Sequence, residues 1–99
     1  MKRKHVDYQE YLIESLRDPE QALAYLNACL EDEDERVFLL ALKDVFEAQG
    51  GDMTALAKEA SLNRQNLYRM LSKKGNPRWH SLTSLFDVLG LQVSLSYKK

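Results

Sequence analysis

Apolar positions recur through most of this chain at three- and four-residue spacing, the mark of amphipathic helices. Tyr8, Tyr11, Leu12, Ser15 and Leu16 fall on one helical face behind Asp7 as a cap, and residues 1–6 before them read as a frayed arm. Asp18 as cap and Pro19 at the first helical position, where a missing N–H costs nothing, start a second helix reaching about Leu30. Its apolar residues Ala22, Leu23, Tyr25, Leu26, Cys29 and Leu30 spread over more than one face. Residues 36–49 carry Val37, Phe38, Leu40, Ala41, Leu42, Val45 and Phe46. That predicts the most buried helix of the molecule, ended by Gly50-Gly51. Further on, Leu82, Leu85, Phe86 and Leu89 share one side of a helix entered at Trp79, read as a core staple, and closed by Gly90. Only the tail changes period. Leu91, Val93, Leu95 and Tyr97 alternate with Gln92, Ser94 and Ser96, which predicts a strand with nothing internal to pair with.

Residues 52–75, DMTALAKEASLNRQNLYRMLSKKG, organise the rest, because they read as two short helices joined by a tight turn. Asp52 caps the first, whose Leu56, Ala57 and Ala60 point inward and are small where a second helix must cross closely. Ser61, Leu62 and Asn63 form the turn, with Leu62 plugging the corner and Asn63 capping the next helix. Leu67, Met70 and Leu71 make its buried stripe, which leaves Arg64, Gln65, Tyr68, Arg69 and Ser72 outside with no acid among them. In a helix-turn-helix the first turns of the second helix enter the major groove. Asn63, Arg64, Gln65, Asn66 and Tyr68 are therefore the expected base contacts. Arg69, Lys73, Lys74 and Arg78 lie further along and suit phosphate, fixing register without reading sequence.

The segment LAKEASLNRQNLYRMLSKKGNPRWHSLTSLFDVLGLQVSLS resembles the helix-turn-helix domain of the phage-repressor (Cro or XRE) superfamily. Within it the likeness is to HigA-like addiction module antidote proteins, carried by NRQNLYRMLS, the GNPR loop and the terminal LGLQVSL. YLIESLRDPEQALAYLNACLED resembles that family's N-terminal extension. Ser61 stands where the superfamily often has Gly, and His80 where a stronger capping residue is common. The resemblance implies a mainly α fold: a lambda-repressor-like helix-turn-helix bundle over residues 34–90. An N-terminal helical extension (1–33) and a C-terminal dimerisation strand (91–99) flank it. It also implies an antitoxin that binds operator DNA, represses its own operon and neutralises a RelE/HigB/ParE-like ribonuclease toxin.

Charge changes the picture. The net −1 hides a dipolar chain: residues 1–50 hold six Lys/Arg against twelve Asp/Glu, net −6, and residues 51–99 hold eight against three, net +5. One half suits phosphate and the other a cationic partner. The run EDEDE at residues 31–35 sits just before the third helix, where acids favour the positive end of its dipole and Asp32 or Asp34 can cap it. Tyr8, Tyr11, Leu12 and Leu26, in the acidic half, are the expected anchors for a small basic toxin. Leu91, Val93, Leu95 and Tyr97 are the expected homodimer contacts, since pairing with a second copy satisfies both strands.

With 99 residues the chain has room for one modest core. A single cysteine, Cys29, leaves no internal disulfide and no Cys-rich zinc site. His5 and His80 lack ligand spacing or a neighbouring acid, and no serine stands in a recognisable catalytic signature, so neither enzyme activity nor a cofactor is expected. No apolar run is long enough for a bilayer, and the expected location is the cytosol, with no membrane partner. Two other readings stay open: a stand-alone phage-type repressor, and an interaction adaptor that has kept the fold without binding DNA.

Overall fold

The computed structural model describes residues 4–72 and 76–98, with side chains from Tyr8 onward. Six helices make up its regular structure among these residues: α1 (Lys4–Ser15), α2 (Pro19–Leu30), α3 (Glu35–Ala48), α4 (Met53–Glu59), α5 (Arg64–Met70) and α6 (Trp79–Leu89). The chain is mainly α, as expected. No described helix is long and apolar enough to cross a membrane.

Short polar caps set where most of these helices begin. The carboxylates of Asp18, Asp34 and Asp52 accept from the backbone N–H groups of Glu20, Arg36 and Thr54 at 2.9–3.0 Å. Each satisfies a donor that the first helical turn leaves open. Asp34 also takes two hydrogen bonds from the Arg36 guanidinium, at 2.8 and 2.9 Å, which hold its carboxyl below the usual range. Asp32 accepts from Asp34 N–H at 2.8 Å, so part of the acidic run is spent on building the α3 entrance.

Three helix ends share one hydrogen-bond pattern. Gly51, Leu62 and Leu91 donate to the carbonyls of Phe46, Ala57 and Phe86, while Gly50, Ser61 and Gly90 donate to Glu47, Lys58 and Asp87. This double bond set is the Schellman motif, and it needs a left-handed residue just past the helix. Gly50 (φ 76°) and Gly90 (φ 78°) supply it at no steric cost.

α3 is the central element, burying Phe38, Leu39, Ala41, Leu42, Val45, Phe46 and Ala48. α1 and α2 pack on it through Leu16, Ala22 and Leu26, so the N-terminal helices share one core with the rest. Phe38 meets Phe86 of α6 edge to face, with ring centroids 6.2 Å apart. The Tyr25 hydroxyl donates to the Asp44 carboxylate at 3.3 Å, tying α2 to α3. Burial, then the Asp44 charge, pushes Tyr25 up to about 12, and burial pushes the Asp44 carboxyl up as well. Between pH 10 and 12 the folded chain therefore keeps a proton that the unfolded chain releases. This contribution is whole below pH 10 and is lost as pH rises toward 12. Tyr25→Phe should flatten the alkaline limb of a stability-against-pH curve. An unchanged limb would show that the Tyr25 hydroxyl is not raised in the folded chain.

Several expectations are corrected. α1 already runs from Lys4, so Asp7 lies inside the helix rather than capping it, and residues 4–6 are not a frayed arm. The buried side of α1 is Leu12, Ile13 and Leu16, while Tyr8 (63% exposed) and Tyr11 (73%) look outward. Cys29 packs half-buried against the core, and burial raises its thiol, which favours the protonated form. The N-cap of α6 is Arg78, without a side-chain cap bond, which places His80 inside the helix. Trp79 is 64% exposed and is no core staple. The C-terminal strand is not seen: residues 91–98 carry no strand, because a ladder needs a second edge and the described residues of one chain present none.

Candidate nucleic-acid interface

α4 and α5 pack against each other across the turn at residues 60–63. Ala57 (3% exposed) and Ala60 (6%) are buried in the core, and Leu62 at the corner is half-buried against it. Ser61 holds φ 59° in the turn. A left-handed residue with a Cβ costs about 1–2 kcal/mol, which glycine avoids at an unfolded-state cost of about 0.5–1 kcal/mol. Ser61→Gly should therefore leave stability unchanged or raise it by up to about 1.5 kcal/mol, and Ser61→Val should lower it by more than about 1 kcal/mol. Denaturant midpoints check both, and a tolerated valine would contradict this turn geometry.

α5 is held from below by Leu67, Met70 and Leu71, at 0%, 7% and 2% exposure. Its upper side is Arg64, Gln65, Asn66, Tyr68 and Arg69, all exposed, with no acid in the first turn. The Asn63 side-chain oxygen accepts from Gln65 N–H at 2.7 Å and Asn66 N–H at 3.3 Å. That acceptor is spent inside the molecule, so Asn63 has its amide donor to offer a ligand. Gln65 and Asn66 keep both donor and acceptor. The Arg64 guanidinium stands over the Tyr68 ring, 5.5 Å from the centroid, one helical turn away. This cation–π contact, worth about 0.5–1 kcal/mol at an exposed site, gives a long side chain a preferred position at the start of the helix. The pairing was not anticipated from sequence, although the four-residue spacing of Arg64 and Tyr68 carried the signal.

Arg69 lies at the far end of α5 and Arg78 at the entrance of α6, both exposed. Lys73 and Lys74, also expected to meet phosphate, lie outside the described residues. Arg64, Gln65, Asn66, Tyr68 and Arg69 thus make up the exposed side of α5, a helix that carries no acidic residue. Of the four residues expected to anchor a basic partner, Tyr8 and Tyr11 are exposed and Leu12 is half-buried. Leu26 is 4% exposed and supports α2 from inside the core. Leu91 packs against the core, whereas Val93, Leu95 and Tyr97 are exposed.

Residues 4–97 match the family described as probable addiction module antidote protein. An uncharacterised protein of Haemophilus influenzae is 30% identical over 86 residues, covering 87% of each chain. No solved structure matches.

Proposed function

The chain belongs to the probable addiction module antidote protein family, and on that premise we propose that it is an antitoxin that represses its own operon. Antidote membership implies a toxin partner. The observation that carries the DNA-binding half is the exposed, acid-free start of α5, mounted on the fully buried Leu67. Arg64, Gln65 and Asn66, with the Asn63 donor and Tyr68, contact base edges in the major groove. Arg69 and Arg78 contact phosphate. In this reading α4 and α5 are a helix-turn-helix of the phage-repressor type, HigA-like, within residues 34–90. A homodimer formed through residues 91–99 presents two recognition helices to half-sites about 34 Å apart.

The toxin contact lies on the acidic N-terminal half. A RelE/HigB-like ribonuclease presents a cationic surface to RNA, which acids anchored by Tyr8 and Tyr11 cover. Cutting the chain at residue 34 would strip Leu16, Ala22 and Leu26 from the core, so the test uses point variants of the full chain. Tyr8→Arg with Tyr11→Arg should abolish rescue of growth when co-expressed with a RelE/HigB-like toxin that the unaltered chain neutralises, while binding to operator DNA persists. Full rescue by this double variant would place the toxin elsewhere.

A further inference from the structure

Away from α5, a groove of about 840 Å³ opens between α2, the start of α3, α6 and the C-terminal segment. Leu23, Leu30, Phe86 and Trp79 are among its apolar lining, and Asp32 and Glu35 stand in its wall. Leu23, Leu30 and Trp79 are 49%, 58% and 64% exposed, a concentration of uncovered apolar surface that a lone soluble chain does not favour. Leu91 and Val93 line the same groove, after which Leu95 (95% exposed) and Tyr97 (99%) leave it for solvent. No backbone hydrogen bond joins residues 92–98 to any other described backbone group.

We infer that this groove receives Leu95 and Tyr97 from a second copy of the chain, exchanged reciprocally about a two-fold axis. Three features select that occupant. An antiparallel pairing of two such segments centred on Ser94 sets Leu95 against Val93 and Tyr97 against Leu91, and the latter residue of each pair borders the groove. The incoming segment has an apolar face followed by the cation Lys98, while the groove is apolar with Asp32, Asp34 and Glu35 in its wall against the cation Arg36, which is already paired with Asp34. Burial is also of the right size. Trp79 and the partner copy's tyrosine cover roughly 150–250 Å² each, a large part of the about 800 Å² per partner that a stable interface needs.

The inference rests on the dimeric reading above and names its surface. Trp79 is the chain's single tryptophan, so its emission reports the groove directly. The full chain, without DNA or toxin, is diluted while sedimentation and Trp79 emission are followed together. A dimer whose formation shifts Trp79 emission to shorter wavelength is expected. Leu95→Lys on the segment and Leu30→Lys on the groove should each raise the dimer dissociation constant by roughly a hundredfold, because each change is made twice in a two-fold pair. Both sites are exposed in the single chain, so the variants should fold, with circular dichroism as the check. A dimer that forms with Trp79 unmoved and Leu30→Lys neutral would overturn the inference. Emission already blue-shifted in the species that sediments as a monomer would overturn it in favour of the chain's own tail, and a monomer shifted only by added toxin would overturn it in favour of the toxin. Loss of operator binding with an intact, blue-shifted dimer would sink the repressor reading and leave this one standing.

Discussion

Leu67→Ala is expected to remove about 2–5 kcal/mol of stability, the cost of emptying a core site that cannot fully collapse. Leu67 is completely buried beneath α5 and belongs to the single core shared by the helices. Small domains hold about 5–15 kcal/mol in all, so this one change should remove a large share of the chain's stability. Gln65→Ala, two residues earlier on the exposed side, should move stability by no more than about 0.5 kcal/mol. Urea denaturation of the two variants side by side makes the comparison. A loss below about 1 kcal/mol for Leu67→Ala would mean that α5 is not seated as described.

Arg64→Ala should relax sequence preference, at about 1–3 kcal/mol for a lost bidentate contact to guanine. Arg69→Ala should instead weaken binding to all duplexes alike and reduce the salt slope by about one counterion. The difference follows from position, since Arg64 opens α5 and Arg69 lies in its last turn. Tyr68→Ala offers a further check, because removing the ring beneath Arg64 should reproduce part of the Arg64→Ala loss without removing the charge. Equal losses on specific and random DNA for Arg64→Ala would remove it from the base-reading set.

Features fixed by a few neighbouring residues were legible in the sequence. Asp18, Asp52 and Asn63 cap the helices they were expected to cap, and of the two candidates Asp32 and Asp34 it is Asp34 that caps α3, because an N-cap needs only a short polar acceptor and two following N–H groups. Gly50 and Gly90 end α3 and α6 for an equally local reason. The inner side of α5 was legible too, since Leu67, Met70 and Leu71 leave one choice of apolar stripe.

What failed depended on the third dimension. Tyr8, Tyr11, Leu12 and Leu16 satisfy helical spacing, but α3 meets α1 along Leu12, Ile13 and Leu16, and periodicity cannot tell which edge of a wide apolar face is covered. Trp79 has the composition of a core residue and stands beside a groove instead. The alternation of Leu91, Val93, Leu95 and Tyr97 is a strand pattern, yet strand structure belongs to pairs, and one chain leaves it without a ladder.

The central claim is that the outer face of α5 reads duplex DNA. It is tested most directly by titrating the full chain into labelled DNA from immediately upstream of its own coding region, and into a scrambled duplex of equal length, across a salt series. The account predicts tighter binding to the upstream duplex and affinity for both that falls linearly on logarithmic axes as salt rises. Binding that does not distinguish the two duplexes, or no salt-dependent binding to either, would contradict it.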